Sequence, residues 1–414
     1  MVVMDGAADR PEEELHGATP LELARTPHLD AIAERARGGM LRILPSGGAP
    51  QTHSGMLSLL GYPDVAVTAK RGALEGSVIF GGMRPGCVYA RGNLSAMVDG
   101  RVISRRVNRD ITQAEADAIC ILLNRAVPGL SATPCHFKSY STYRLAVEIT
   151  VGDAPTDAVT GTDPGYSEDE FAVPKPQDGF APAMSRALER TAAANRVANA
   201  VNAITRACHT VLERADLNAK RRAAGRLPVN HVLLRDFGVS LPSAEPFSDR
   251  WGLTAKYYHD LPVELGVARY LHMDEEKANC GAVNRRVFED AASRLVGDLA
   301  KYDFICFHVK GPDEPGHDGN WKAKVRAIEI VDEGLFARLA LELDRRPVTL
   351  AITSDHATCW AVRTHTGDPV PIIVTGTGTP DGRLRLSEAA CAQGTFPITE
   401  AWKVMTGLTN LGRT

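Results

Sequence analysis

Residues 304–317 read FICFHVKGPDEPGH, and residues 350–356 read LAITSDH. Each begins as a short apolar run without polar alternation, the texture of a strand buried on both faces of a parallel sheet. Each then delivers residues that can hold a cation. Asp313 has His317 four positions on, and the pair Asp355-His356 has His365 nine positions after His356. The N-terminus repeats the arrangement, because VVM at 2–4 runs into Asp5. In open α/β sheets ligands bind beyond the carboxyl ends of the strands. The three runs therefore bring Asp5, Asp313, His317, Asp355, His356 and His365 to one rim.

Three carboxylates and three imidazoles suit divalent metals such as zinc or manganese, with no thiolate required. Six donors are too many for one catalytic ion that must keep a position open. They suit two ions about 3.5–4 Å apart, the arrangement that clamps the attacking and leaving oxygens in phosphoryl transfer. Each piece alone is commonplace, since an Asp-Gly near a terminus is usually a turn. Their joint placement at strand ends carries the weight.

Two further runs outside these strands, NHVLLRDFG (230–238) and PVPIIVTG (369–376), have the same unalternating texture. Amphipathic helical patterns at 283–300 and 322–344 separate the later runs. Thr-Pro pairs at 19–20 and 26–27 mark helix starts, Thr as N-cap and Pro as first helical residue. From about residue 76 the texture changes. GCVYARGNLSAMV (86–98) and TYRLAVEITV (142–151) read as antiparallel strands, TQAEADAICILLNRAV (112–127) as a helix, and the Ala-rich stretch near 184–215 as another. The expected architecture is an α/β core with a mostly parallel sheet, built from residues 1–75 and 225–414. An α+β cap domain of residues 76–224 is inserted in it. The site is expected in the cleft between them, with Gly72, Gly76 and Gly225 as hinge candidates.

The bulk properties fit. A chain of 414 residues suits two domains, and 44 % hydrophobic with 23 % charged residues reads as globular. A net charge of −3 gives no basic field for nucleic acid. No apolar run approaches the roughly 20 residues of a membrane helix, and the first residues lack a secretory pattern. The eight cysteines form no C-x-x-C pair, which points to a reduced cytoplasmic protein. Oligomeric state is not legible.

The same segments carry a family resemblance. MDGAADRP, TPHLDAIA, LSLLGY, RGALEG, RGN, TDP, HVLLR, YDFICFHVKGPDEPGHDG, the helix from Lys324 to Asp332, SDHAT and HTGDPVP together make the chain, over nearly its full length, similar to the archaeal-type cofactor-independent phosphoglycerate mutases of the alkaline phosphatase superfamily. The resemblance implies an alkaline phosphatase-like core. It assigns Asp5, Thr52, Asp355 and His356 to one ion, and Asp313, His317 and His365 to the other. The family nucleophile is a Ser that is phosphorylated and then passes its phosphoryl group to a hydroxyl of the glycerate. Here the family's Ser-Asp-x-Ala is Thr52-His53-Ser54-Gly55. Counting back without a gap from Leu59-Leu60-Gly61-Tyr62 puts Thr52 at the nucleophile position, and Ser54 needs a shift of two residues. The family's His-Arg pair appears as Tyr143-Arg144, and the His expected after Thr-Asp-Pro is Gly165.

The expected function is metal-dependent phosphoryl transfer through a phosphothreonine, mutase-like in type. A repurposed relative acting on another phosphate or phosphonate ester, by transfer or hydrolysis, is the second expectation. A non-catalytic metal-binding protein is a remote third. A small anionic phosphate or phosphonate would be held by Arg71, Arg91, Asn93, Arg105, Arg106, Arg109, Arg144, Arg235 and Lys310, because bidentate arginine contacts are what such groups call for. The plain alternative for these side chains is surface charge or structural ion pairing.

Overall fold

The computed structural model describes residues 1–164, 179–281 and 283–411; Gly165 lies outside the described residues. The chain divides into two compact units, Met1–Thr68 with Ser243–Thr414, and Ala69–Pro242. In chain order the strands among the described residues are β1 (Val2–Met4), β2 (Ala36–Leu41), β3 (Cys87–Val98), β4 (Arg101–Ser104), β5 (Cys135–Ser141), β6 (Arg144–Thr150), β7 (His231–Gly238), β8 (Ala255–His259), β9 (Asp274–Lys277), β10 (Phe304–Val309), β11 (Ala351–Thr353), β12 (Ala357–Cys359), β13 (Thr364–Thr366) and β14 (Val370–Thr375).

The first unit is built on a seven-stranded sheet of order β2-β14-β11-β1-β10-β8-β9. β1 runs parallel to both β10 and β11, and β8 runs parallel to β10 and β9. β14 alone runs against the direction of the other strands, antiparallel to both β11 and β2. This is the mostly parallel α/β sheet expected from the unalternating runs. The register matters for function. Met4 lies opposite Val309, Val3 lies opposite Thr353, and the Asp5 amide donates to Val309 O at 3.0 Å. Since the three strands point the same way, the residues that follow them leave the sheet along one edge.

The faces of this sheet are closed by helices whose apolar sides repeat at helical spacing. Phe288, Ala291 and Leu295 of the helix Arg285–Asp298, Ile328 and Val331 of Trp321–Val331, and Leu29 and Ile32 of Pro27–Ala33 join Val2, Met4, Ile305, Phe307 and Ile352 in one buried core. Each such side chain contributes roughly 1.5–3 kcal/mol by leaving water. Both Thr-Pro pairs open helices as expected. Thr19 closes a full capping box with Glu22.

The second unit carries an antiparallel sheet of order β4-β3-β6-β5, with β7 also paired to β3. Here one expectation is corrected: HVLLRDFG belongs to this sheet and not to the parallel one. Its lack of alternation has a physical cause, because helices pack on both of its faces. Val232 and Leu234 join the core formed with the helices Gln113–Ser131 and Ala192–Glu213. On the other face the helix Arg71–Ile79 approaches so closely that a Cβ at Gly72 would lie 1.9 Å from Asp236 O. The hinge expectation for Gly72 and Gly76 is corrected by this helix and its close packing. Both lie inside that helix, and a Cβ at Gly76 would lie 2.6 Å from the Tyr89 ring.

Candidate metal centre

The six ligand candidates lie together at the carboxyl edge of the parallel sheet, in two groups. Asp5, Asp355 and His356 form one, and Asp313, His317 and His365 the other, with donor atoms inside each group within 4.8 Å of one another. Asp5 leaves β1 directly, and Asp355-His356 leave β11. Asp313 opens a short helix, Asp313–His317, which places His317 one turn further on the same face. The hairpin β12–β13 returns the chain so that His365 lies opposite Thr358. The His356 and His365 rings consequently stack at 3.6 Å, joining the two groups.

All three imidazoles are held by Nδ1 and present Nε2 to the site. His365 Nδ1 meets Pro50 O at 2.8 Å, His317 Nδ1 meets Arg363 O at 3.1 Å, and His356 Nδ1 meets Thr358 Oγ1 at 3.1 Å. Anchoring one ring nitrogen in this way fixes the tautomer and aims the other lone pair, as at metal-binding histidines generally. The exposed lone pairs face carboxylates. His317 Nε2 and His365 Nε2 each lie 3.4 Å from Asp313 Oδ1, and His356 Nε2 lies 3.2 Å from Asp5 Oδ1 and 3.3 Å from Asp355 Oδ2. Asp5 Oδ1 and His356 Nε2 are buried and make no hydrogen bond. A divalent ion supplies what both atoms lack, so the residues fit the metal that the donor set implies.

Electrostatics point the same way. Burial alone would raise the Asp5 carboxyl and lower His356. Lys310 outweighs it at Asp5, holding that carboxyl well below the usual range, and Asp355 and Asp5 outweigh it at His356, which is raised. The rim calls for positive charge at Nε2. Behind it lies a buried network that the sequence alone did not reveal. His308 Nδ1 lies 3.3 Å from Glu264 Oε1 and its Nε2 3.3 Å from Asp355 Oδ2. Lys310 pairs with Asp5 and, at 3.0 Å, with the same Glu264 Oε1. Burial would lower His308, but Glu264 and Asp355 push it up to about 10. A lone His inside the apolar run FICFHV was the available sequence signal, since a buried polar group needs a partner.

Thr52 heads the helix Thr52–Leu59 and is buried. Two contacts bracket it against the rim. Pro50 O accepts from His365, and the backbone of Gly55 lies so close that a Cβ there would be 2.3 Å from Asp355 O. The Ser54 hydroxyl, by contrast, is engaged within the first turn, donating to Gln51 O at 2.9 Å and accepting from Gln51 N at 3.0 Å.

The anion-binding candidates distribute differently. Lys310 belongs to the metal centre. In the second unit, the alternation of β3 and β7 places Tyr89, Arg91, Asn93 and Arg235 on the sheet face opposite the apolar core. There Arg91 pairs with Glu75 at 3.1 Å and Asp236 at 2.7 Å, Arg71 pairs with Glu75 at 2.8 Å, and Arg105 grips Asp163 through two bonds of 3.1 and 2.6 Å. Arg235 donates to Asn93 Oδ1 at 3.1 Å. Burial would raise Glu75, but Arg91 and Arg71 hold it at about 2. Arg144 lies over the Tyr143 ring at 5.1 Å. Arg106 and Arg109 flank a turn in which Val107, Asn108 and Arg109 all adopt left-handed backbone.

A family model for the metalloenzyme superfamily matches residues 1–410. Among curated relatives, the 2,3-bisphosphoglycerate-independent phosphoglycerate mutase of Aeropyrum pernix is 33 % identical over 95 % of this chain and 94 % of its own length. The corresponding protein of Pyrobaculum islandicum is 31 % identical over 95 % and 92 %. Among solved structures, a Pyrococcus horikoshii protein superposes with a TM-score of 0.73 at 25 % identity, covering 99 % of this chain and 96 % of that one. The cofactor-independent phosphoglycerate mutase of Thermoplasma acidophilum gives 0.58 at 25 % identity, covering 99 % and 98 %. The chain belongs to the 2,3-bisphosphoglycerate-independent phosphoglycerate mutase family of the metalloenzyme superfamily.

Proposed function

We propose that this enzyme transfers a phosphoryl group between hydroxyls of a small phosphorylated acid, with Thr52 as the transient acceptor and two divalent ions, zinc or manganese, at the rim. The supporting observation is the pair of three-donor groups lying side by side, every imidazole Nε2 turned inward, beside the helix that Thr52 opens. When bound, such ions neutralise phosphoryl oxygens and make a coordinating hydroxyl more acidic. Asp5, Asp355 and His356 would hold one with Thr52, and Asp313, His317 and His365 the other. Thr52 Oγ1 forms a bond to phosphorus as the donor ester P–O bond breaks. The hydroxyl loses its proton and the departing oxygen gains one, and the return step reverses this at the acceptor hydroxyl. The first amides of the Thr52–Leu59 helix offer donors and a favourable dipole to the incoming phosphate. Phosphoglycerate is the favoured substrate, on the strength of the relatives' names.

A second reading has its own support. Thr52-His53 replaces the family's Ser-Asp, and Tyr143 under Arg144 replaces a His. The first change alters the groups expected at the reacting phosphate, which favours another phosphate or phosphonate ester as substrate. One experiment separates the readings: metal-loaded protein assayed with 3-phosphoglycerate, a generic phosphodiester and a panel of phosphonates. Interconversion of 3- and 2-phosphoglycerate supports the first. Turnover confined to the other compounds overturns it in favour of the second, and inertness toward all of them leaves a non-catalytic metal-binding protein.

A further inference from the structure

Thr358 is the one side chain among the described contacts whose single atom touches a ligand candidate from each group. Its hydroxyl donates to Asp313 Oδ1 at 2.7 Å and lies 3.1 Å from His356 Nδ1. A hydroxyl has one proton to give. With the proton committed to Asp313, Thr358 Oγ1 must accept from His356, which places hydrogen on Nδ1 and leaves the Nε2 lone pair facing Asp5 and Asp355. One hydroxyl thereby sets the tautomer in one group and the carboxylate rotamer in the other.

The rest of Thr358 is immobilised. Its amide donates to Ala8 O at 3.1 Å, and its carbonyl accepts from the buried Lys324 ammonium at 2.7 Å. Two glycines make room for its side chain. A Cβ at Gly6 would lie 2.4 Å from Thr358 Oγ1, and one at Gly316 would lie 2.8 Å from Thr358 Cγ2. The hydroxyl therefore cannot swing aside to serve one group at the other's expense.

We propose that Thr358 is a positioning residue that couples the two metal sites, so that filling one orders the other. The proposal rests on the two-ion reading above. An ion drawn to His356 Nε2 favours the Nδ1–H tautomer. That keeps the Thr358 proton on Asp313 and holds Asp313 in its binding rotamer, and the converse holds from the other side, as linkage requires.

The test is calorimetric titration of metal-free protein with Mn²⁺, alongside metal analysis after gel filtration. Wild type is expected to take up two ions with the second favoured by the first. Thr358→Val, nearly isosteric, is expected to weaken both sites together by about 10-fold or more, the usual cost of losing an outer hydrogen-bond partner, and to bind them independently. Thr358→Ser should restore both affinity and coupling. If Thr358→Val folds poorly, Thr358→Ala is read by the same criteria. Uptake of a single ion by wild type would overturn the two-ion reading itself. Two ions in wild type with an unchanged isotherm in the variant, weakening at one site alone, or failure of Thr358→Ser to rescue would each overturn the coupling and leave the two-ion reading standing.

Discussion

Ser54 and Gln51 are bound to each other twice, hydroxyl to carbonyl at 2.9 Å and amide to hydroxyl at 3.0 Å, closing the first turn of the helix that begins at Thr52. A side chain engaged in that way is poorly placed to attack phosphorus, whereas Thr52 heads the same turn between two residues in contact with the ligand candidates. Thr52→Ala is therefore expected to abolish turnover with metal content retained, and Thr52→Ser to keep activity. Ser54→Ala is expected to cost about 1 kcal/mol of stability, a cap's worth, and little rate. Mass spectrometry of acid-quenched enzyme with substrate should find the added phosphate on Thr52. A dead Ser54→Ala beside an active Thr52→Ala would move the nucleophile by two residues.

Gly55 has no room for a side chain. A Cβ there would meet Asp355 O at 2.3 Å, and Asp355 carries a ligand candidate on a buried strand end. Gly55→Ala should destabilise the protein by roughly 1–3 kcal/mol, as overpacking does. It should also weaken metal binding, because the displaced backbone is that of Asp355. Urea unfolding and metal titration on the same sample test both halves. A variant with normal metal affinity would mean that the helix, and not the strand end, gives way.

Glu264 serves two neighbours with two oxygens. Oε2 accepts the amides of Asp260 at 2.7 Å and Leu261 at 3.2 Å, while Oε1 faces His308 and Lys310. Glu264→Gln keeps an acceptor for the amides but removes the negative charge beside Lys310. Lys310, then less neutralised, repels a divalent ion at Asp5 and Asp355. The variant is expected to fold with near-normal secondary structure and bind metal about 10-fold more weakly. Unaltered affinity would show that Glu264 serves only the helix start.

How much of this was readable in the residues follows from their physics. The six ligand candidates were legible because strand ends in a parallel sheet share one edge, so three short motifs sufficed. Thr358, Glu264 and His308 were not, because their roles depend on side-chain directions that spacing does not encode. The strand His231–Gly238 looked like a parallel-sheet strand because burial on both faces erases alternation whatever the sheet. The arginines were legible as charges only. Whether Arg91 or Arg105 faces a substrate or a structural carboxylate is set by Glu75, Asp236 and Asp163, which lie far off in sequence.

His231 gives the protein an acid sensitivity separate from the metal centre. It is 5 % exposed, and neither ring nitrogen has a hydrogen-bond partner. The His209 ring lies 5.8 Å away, edge-on. Burial, and then His209, pull its pKa down to about 4. In the unfolded chain the value returns to about 6.5. Between those values the unfolded chain binds a proton that the folded one refuses, so stability falls as pH falls. The contribution is fully present above pH ~6.5 and lost by pH ~4, a loss of roughly 3 kcal/mol. His231→Phe, which keeps the ring and removes the titration, should flatten the urea midpoint over that window relative to wild type. Parallel wild-type and variant curves from pH ~6.5 to ~4 would show that His231 takes up its proton in the folded state, and that the acid sensitivity lies elsewhere.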